Sequence, residues 1–314
     1  MKFVNALIKR DADNRSFLYY LKRDRQLYML LTIPIFFVLV FKILPMFGLV
    51  IAFKDFKIAK GFWDSEWVGF QIFQDIFAKR DFGRAIRNTL LLNTLDFVLS
   101  FTAPILLAIL LNEIKSIRLK RINQTLLYLP HFLSWVIISA LAYQLFSVGN
   151  GVINNLIENF GGDRIPFLQE DNHWLLSYLL IGVWQSMGWG TIIYLASISS
   201  INPELYEAAF VDGAGRWRKV WHITIPGIRV TIVTLLIMNL GRVMGGNFER
   251  VYSLANKATT EYTTTIEVLV YRWGIESGQF SRATAIGLFQ AVIGLILVIL
   301  ADRIAKKLGE DGLL

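Results

Sequence analysis

The side chains in this sequence that could bind a ligand lie within long apolar stretches. In the stretch IGVWQSMGWG, Gln185 and Trp189 are four residues apart and share one face of a helix. An indole face stacks on the C–H face of a sugar ring, and an amide pairs with its hydroxyl groups. The pattern predicts that these side chains line a path for a saccharide, with Trp184 stacked over Gly188.

Other polar and aromatic residues fall at a comparable depth in their own apolar segments. Such groups line transport paths, but single amides and tryptophans also serve as packing and interhelical contacts. Arg242 either faces the cavity, where its guanidinium would favour an acidic substrate, or extends to the lipid headgroups. The residues predicted to line the path are Tyr143, Gln144, Trp184, Gln185, Trp189, Asn239, Arg242 and Gln290.

Catalytic and metal-binding chemistry has little support in this sequence. Asp96 is the one carboxylate clearly within an apolar span, and it must face protein or water because exposure to lipid is costly. There is no cysteine, and His131, His173 and His222 lack the spacing of metal ligands, so we expect His131 to be a packing residue. No Walker A pattern occurs. We therefore expect no catalytic residue, metal or bound cofactor in this chain, and any energy must come from a partner.

The segments that position these residues are long enough to cross a bilayer. Of the 314 residues, 54% are hydrophobic and 18% are charged, which excludes an ordinary soluble globular protein. The net charge of +8 comes from basic residues beside the apolar spans, so it indicates topology rather than nucleic-acid binding. The sequence predicts an all-α fold, a polytopic transmembrane helical bundle with six spans at about 27–53, 89–111, 125–146, 174–198, 221–243 and 283–301.

The distribution of lysine and arginine orients this bundle. These residues are denser in the segments predicted to lie inside than in those predicted to lie outside, as the positive-inside rule requires. Both termini are therefore predicted to be cytoplasmic. The predicted organisation is a cytoplasmic amphipathic segment at 1–26, a first span at 27–53, a core with five spans at 85–302 and a cytoplasmic tail at 303–314.

A polar stretch between the fourth and fifth spans, residues 202–226, predicts a short helix outside the lipid. Asn202 is a suitable N-cap, and Pro203 suits the first turn because its missing amide hydrogen would be unpaired there anyway. About twelve helical residues span about 18 Å, less than the ~30 Å of the hydrocarbon core. Small residues along one side of this helix leave a flat surface that another protein can approach.

The same stretch resembles a known motif. Glu207-Ala208-Ala209, then three residues, Gly213, nine residues, Ile223, one residue and Ile225-Pro226 is similar to the EAA loop of ATP-binding-cassette (ABC) importer permeases. The family usually has leucine at the position of Ile225. In that family the EAA helix docks on the ATPase subunit. The resemblance therefore implies ATPase contacts for Glu207, Ala208, Ala209, Asp212 and Gly213.

The resemblance extends beyond the loop. Residues 85–302 resemble the five-helix core of type I ABC importer permeases, and the whole chain resembles the carbohydrate branch, maltose-permease-like but without a large inserted domain. The segments LPHFLSWVI and GQFSRATAIGLFQAVIGLILVILADRIAKKLGE are similar to importers of oligosaccharides and polysaccharide fragments, including the alginate importer. This implies a second related permease, two ATPase subunits that bind ATP and Mg, an external solute-binding protein and a bacterial cytoplasmic membrane.

Two other classes of function fit the sequence less well. An ion-coupled secondary transporter of sugars often has paired repeats and several intramembrane carboxylates, whereas this sequence shows no internal repeat and one such carboxylate. A membrane-embedded enzyme needs a cluster of Asp, Glu or His at useful spacing, and we find none.

Overall fold

The computed structural model describes residues 23–240 and 243–307. The chain divides after Ile51 into two compact units, and each is described by itself. The predicted amphipathic segment at 1–26 lies almost entirely outside the described residues.

The first unit is a helix that changes its hydrogen-bonding pattern along its length. Helix α1 covers Arg25–Val38, a π-helix follows over Leu39–Ile43, and a 3-10 helix covers Leu44–Phe53. None of the residues of α1 is buried, which suits a surface that faces lipid rather than water. Lys42, in the π-helix, is also exposed.

The second unit is helical apart from one antiparallel pair of two-residue strands, β1 and β2. The elements in chain order are β1 Lys54–Asp55, α2 Gly61–Asp64, β2 Glu66–Trp67, α3 Gln71–Phe77, α4 Arg80–Asn112, α5 Ile117–Tyr128, α6 Trp135–Phe146, α7 Val152–Asn159, α8 Asp171–Ser199, α9 Pro203–Val211, α10 Arg216–Lys219, α11 Ile225–Gly227, α12 Arg229–Leu240, α13 Phe248–Leu254, α14 Thr260–Thr263, α15 Ile266–Tyr271 and α16 Phe280–Lys307. The all-α prediction is confirmed, with this strand pair as a small local exception.

Among the described residues, four helices are long and apolar enough to cross a membrane, and two bent pairs raise the number to six if each pair is one span. The four are Arg25–Phe53, α4, α8 and Phe280–Ile304 within α16. The bent pairs are Ile117–Phe132 with α6, at 104°, and Arg216–Gly227 with α12, at 61°. The prediction of six spans is therefore met at the upper count, but the third and fifth are not straight helices.

The break in the third span has a local cause. A 3-10 turn at Leu129–Phe132 contains Pro130, whose ring cannot donate a backbone hydrogen bond. Ser134 then begins α6, with its Oγ accepting a hydrogen bond from the Ile137 amide at 3.4 Å.

The break in the fifth span also follows a proline. Pro226 lies in α11, and Ile228 departs from helical geometry with φ −102° and ψ 8° before α12 begins. A π-helix over Val220–Thr224 precedes this bend.

Helices α4 and α8 form the most extensive helix pair and position the site described below. Gly188 of α8 lies directly against the backbone carbonyl of Leu127 in α5, so that a Cβ there would collide with it. The atoms nearest to a Cβ at Gly188 therefore belong to the α5 backbone, and the stacking of Trp184 over Gly188 stays a prediction. A small residue at this point lets helices α5 and α8 approach closely.

Candidate functional site

A polar cavity of about 410 Å3 lies between α4, α8, the turn before α6, the end of α12 and α13. Its volume falls in the range of about 300–1,000 Å3 that is usual for small-molecule sites. The lining combines aromatic rings with amides, hydroxyls and one pair of opposite charges. The polar and aromatic members are Asn93, Asp96, Phe97, Ser100, Phe101, His131, Trp135, Gln185, Ser186, Asn239, Asn247 and Arg250.

The opposite charges in this wall are Asp96 of α4 and Arg250 of α13. Arg250 Nη2 lies 2.8 Å from Asp96 Oδ1, and the two side chains are only 3% and 14% exposed. The Ser100 hydroxyl donates to Asp96 Oδ1 at 3.2 Å, and Asn247 Nδ2 donates to Oδ2 at 3.4 Å. The prediction that Asp96 faces protein or water is confirmed, and its charge is balanced inside the protein.

The guanidinium of Arg250 is fixed on its other sides by aromatic and small residues. Its Cζ lies 3.8 Å from the centre of the Tyr178 ring and 5.5 Å from that of Trp135, and both contacts are attractive for a cation. A Cβ at Gly182 would collide with Nη1, so the lack of a side chain at this position makes room for the guanidinium. These contacts enclose the guanidinium in the wall of the cavity.

Residues 243–247, which we call the strap, connect the α12 arm to α13 and separate this cavity from a second one. Non-helical backbone within a membrane protein must be bonded internally or face water. Side chains from three other elements bind the strap: Asn93 Nδ2 donates to the Val243 carbonyl at 2.8 Å, Gln290 Nε2 donates to the Met244 carbonyl at 2.7 Å, and the Gly246 amide donates to Glu267 Oε1 at 2.6 Å.

Two of the predicted path residues line the cavity. Gln185 is half-buried, with its Nε2 3.5 Å from the His131 carbonyl, and Asn239 of α12 is also half-buried. Asn239 uses its Nδ2 to bind the Leu235 carbonyl of its own helix at 2.8 Å, which leaves its amide oxygen available to a ligand.

Trp189 lies at an adjoining cavity of about 260 Å3, which shares Ser100, Phe101 and Asn239 with the first. Its ring stacks on His131, with centroids 4.8 Å apart and an interplanar angle of 7°. His131 is thus a packing residue, as predicted, and it also lines the main cavity, which the sequence did not indicate.

Gln290 lies on the far side of the strap. It lines a more open cavity of about 570 Å3 that shares Gly245 and Gly246 with the main one. Its side chain also holds the strap, so it contributes to the boundary between the two cavities.

The remaining predicted path residues lie elsewhere. Tyr143 packs against the core of α8 and donates from its hydroxyl to the Leu254 carbonyl at 3.3 Å. Gln144 is exposed, and Trp184 is 44% exposed. The described residues that line the main cavity do not include Tyr143, Gln144 or Trp184. Arg242 lies outside the described residues.

The predicted short helix is present as α9, Pro203–Val211, with nine residues rather than about twelve. The side-chain oxygen of Asn202 accepts a hydrogen bond from the Glu204 amide at 3.1 Å, which confirms the predicted N-cap. None of the residues of α9 is buried, and Ala208 is exposed. The helix therefore presents a free surface with small residues on one side.

Gly213 ends this helix in a way that requires glycine. Its φ is +74°, and the Ala214 amide donates to the Ala209 carbonyl at 2.8 Å while the Gly213 amide donates to Phe210 at 3.0 Å. This is the pattern of a Schellman motif, in which a residue of left-handed conformation satisfies the last carbonyls. The sequence predicted Gly213 as part of a contact surface, and the structure adds a conformational role.

The hairpin that contains α9 is joined to the bundle at few points. The Tyr206 hydroxyl lies 3.0 Å from Thr224 Oγ1, which is buried. Arg216 Nε lies 3.8 Å from Glu113 Oε2 just after the end of α4, where both side chains are exposed. A displacement of α9 would therefore reach the fifth span directly through Tyr206 and Thr224.

No group of three or more His, Asp or Glu side chains that could hold a metal occurs within residues 23–240 and 243–307. The rings, amides and hydroxyls of the main cavity suit recognition of a polar, hydroxyl-rich molecule.

Sequence patterns did not indicate Arg250, which supplies the positive charge in the described lining of the cavity. Arg250 lies after the predicted fifth span, 154 positions along the chain from Asp96. The one available signal was the unpaired carboxylate in α4, which requires a cation but does not indicate which one.

Comparison with known proteins shows which family this chain resembles. A family model described as "Binding-protein-dependent transport system inner membrane component" matches residues 100–310. Protein LplB of Bacillus subtilis (strain 168) is 45% identical over 95% of this chain and 94% of its own length. The polygalacturonan/rhamnogalacturonan transport system permease protein YteP of the same organism is 44% identical over 99% of this chain and 97% of its own length.

A solved structure supports the same similarity in three dimensions. The chain matches one chain of a bacterial alginate ABC transporter in complex with an alginate pentasaccharide-bound periplasmic protein. The TM-score is 0.87 at 37% identity, and the match covers 95% of this chain and 100% of the other.

Proposed function

This chain belongs to the family of binding-protein-dependent transport system inner membrane components and is a permease subunit of an ABC transporter, and we propose that its cargo is an oligosaccharide or a fragment of a polysaccharide. The observation that carries the substrate class is the main cavity, where aromatic rings alternate with amides, hydroxyls and one ion pair. Such a lining suits sugar rings, which have apolar faces and hydroxyl edges.

Acidic polysaccharides are the first candidates within this class. Polygalacturonan appears in the name of YteP, and alginate in that of the matching transporter; both consist of uronic acids. We assign to the path Gln185 and Asn239 in the main cavity, Trp189 in the adjoining one and Gln290 beside the strap. The proposal for Arg242, that it favours an acidic substrate, stays a prediction.

The energy for transport enters through α9. We assign the ATPase contact to the exposed helix that includes Glu207, Ala208 and Ala209, together with Asp212 and Gly213 at its end. Its flat side suits a close protein contact, and its link through Tyr206 to Thr224 would transmit movement to the fifth span. ATP and Mg would be bound by the ATPase, since the sequence of this chain has no Walker A pattern.

The working complex then contains a second related permease, two ATPase subunits and an external solute-binding protein. In the family's inner-membrane setting, both termini of this chain would lie in the cytoplasm, which brings α9 to the side where ATP is found.

The proposal is tested by uptake in proteoliposomes that contain the complete complex. We expect ATP-dependent accumulation of labelled tri- to pentasaccharides of galacturonate or mannuronate when the loaded binding protein is outside and ATP is inside. A complex whose ATPase cannot hydrolyse ATP is the matched control and should accumulate none. Uptake that continues in this control would instead indicate an ion-coupled secondary transporter.

A further inference from the structure

The buried pair of Asp96 and Arg250 leaves part of the guanidinium without a hydrogen-bond partner. Nε and Nη2 of Arg250 are buried and have no such partner among the residues that the structure describes. Nη2 is close to Asp96 in distance, at 2.8 Å, but without the alignment of a hydrogen bond. Buried donors are almost always satisfied in native proteins, so these two require an acceptor from outside the described chain.

The two free donors lie side by side on one edge of the guanidinium, and Arg250 is part of the cavity wall. The other edge is enclosed, because Nη1 lies against Gly182 and the guanidinium plane is near the Tyr178 ring. Because Arg250 lines the cavity, an acceptor for this buried edge would have to come from the cavity side, beside Asp96.

A carboxylate in this position would lie beside the carboxylate of Asp96. Two negative charges would then share one guanidinium where both charged side chains are largely shielded from water, which is unfavourable. A hydroxyl group avoids this conflict, since its oxygen accepts from Arg250 while its hydrogen is donated to Asp96. The described lining also has one carboxylate and one guanidinium, so these groups give the cavity no excess of positive charge.

We propose that Asp96 and Arg250 form a hydroxyl-binding dyad, which holds a pair of adjacent ring hydroxyls of the sugar and does not bind its carboxylate. The dyad rests on the proposed function, because it assumes that a saccharide enters this cavity. Trp135 would face the apolar side of the same sugar ring, since it lines the cavity next to Arg250. Neutral and acidic saccharides would then bind equally well at this position, and any preference for acidic substrates would arise elsewhere.

The experiment compares two ligands that differ only in whether each sugar has a carboxylate or an uncharged hydroxymethyl group. Trigalacturonate and its carboxyl-reduced form, a galactose trisaccharide, are measured by equilibrium binding to the purified permease–ATPase complex in nanodiscs without the binding protein. The variants are Asp96→Asn, Arg250→Lys and the double variant Asp96→Asn/Arg250→Gln. The double variant has no unpaired charge and so keeps the test valid if a single variant does not fold.

We expect each variant that folds to bind both trisaccharides about tenfold more weakly or worse, the loss typical of a hydrogen bond to a charged group. Weaker binding of trigalacturonate alone would overturn the dyad and assign a carboxylate to Arg250. Unchanged binding of both ligands would also overturn it and leave the pair with a packing role. If the wild-type complex binds neither ligand but still transports saccharides, the dyad fails and the proposed function stands; if it does neither, the proposed function fails as well.

Discussion

The wall of the polar cavity and the hairpin around α9 are built in opposite ways. The cavity wall joins residues far apart in sequence, such as Asp96 and Arg250, and both are buried. The α9 helix is formed by neighbours in sequence, from the cap at Asn202 to the turn at Gly213, and none of its residues is buried. The charged pair in the cavity wall is thus shielded by the protein, whereas α9 is an exposed surface, to which we assign the contact with the ATPase.

The largest effect that separates the two regions should come from a charge on the flat side of α9. Ala208 is exposed, so Ala208→Asp changes the surface without disturbing the fold. We expect the variant to insert normally but to lose co-purification with the ATPase and all ATP-dependent uptake, because a carboxylate without a partner would be buried in the contact.

Ala78→Asp is the matched control, since Ala78 is equally exposed but lies at the end of α3 in a segment predicted to be outside the cell. It should retain both ATPase binding and uptake. Normal ATPase binding by Ala208→Asp would show that α9 is not the docking surface.

Breaking the buried pair should have the next largest effect, on stability rather than on docking. Arg250→Gln leaves Asp96 as an uncompensated buried charge, and we expect a loss of about 3–5 kcal/mol in the free energy of unfolding. Adding Asp96→Asn should recover most of this loss. Thermal unfolding of the detergent-solubilised chain, followed by size-exclusion chromatography, measures both; a double variant as unstable as the single one would contradict the pairing.

The sequence could predict α9 because every signal for it is local. Asn202 and Pro203 identify the start and the spacing of the EAA-like motif covers the body, whereas the end at Gly213 was not predicted. The helix came out three residues shorter than predicted, because Gly213 already ends it with a Schellman motif.

The cavity could be predicted only in part, for a physical reason. Helical spacing placed Gln185 correctly, because the face of a helix follows from its period. It could not show that Tyr143 bonds to the Leu254 carbonyl and lies outside the cavity lining, nor that Arg250 pairs with Asp96 of α4 after the strap. These placements depend on tertiary packing between elements rather than on the pattern within one.

The close approach beside the cavity gives a third and smaller effect. Gly188→Ala places a methyl group against the Leu127 carbonyl of the α5 backbone, which cannot move like a side chain. We expect a loss of about 1–3 kcal/mol, the usual cost of overpacking. Gly83→Ala in α4 is the matched control, because nothing lies within 4 Å of the added atom, and it should raise stability by about 0.5–1 kcal/mol. Equal melting temperatures for the two variants would contradict the close packing of α5 on α8.

A weaker effect distinguishes the two roles of Gly213. If the left-handed φ of +74° matters, Gly213→Ala should destabilise the end of α9 by about 1 kcal/mol. Gly213→Asn should cost less although asparagine is larger, because it tolerates this conformation. Hydrogen exchange of the α9 amides gives the comparison, and faster exchange in the Asn variant would mean that size rather than conformation decides.

The smallest expected effect concerns an exposed charged contact between α14 and the first turns of α4, before the predicted span at 89–111. Arg87 Nη2 donates to Glu261 Oε1 at 2.5 Å, and Arg84 lies 3.7 Å from Oε2. The hydrogen bond from Arg87, with the charges of both arginines, holds the pKa of Glu261 below its ordinary value of 4.5. A lowered pKa means that the contact contributes fully above pH 4.5 and weakens as the pH falls through the lowered value.

Hydrogen exchange of the α14 amides, corrected for the intrinsic pH dependence, should therefore increase slightly below pH 4.5 in the wild-type chain and stay flat in Glu261→Gln. The backbone of α14 is also held by Asn88, whose Nδ2 donates to the carbonyls of Glu261 at 2.6 Å and Thr264 at 2.9 Å. Asn88→Ala should accelerate exchange at every pH, because an amide does not titrate and its two buried bonds are worth more than an exposed ion pair. An equal acid-dependent increase in Glu261→Gln would contradict this prediction, because it would show that another group near α14 titrates.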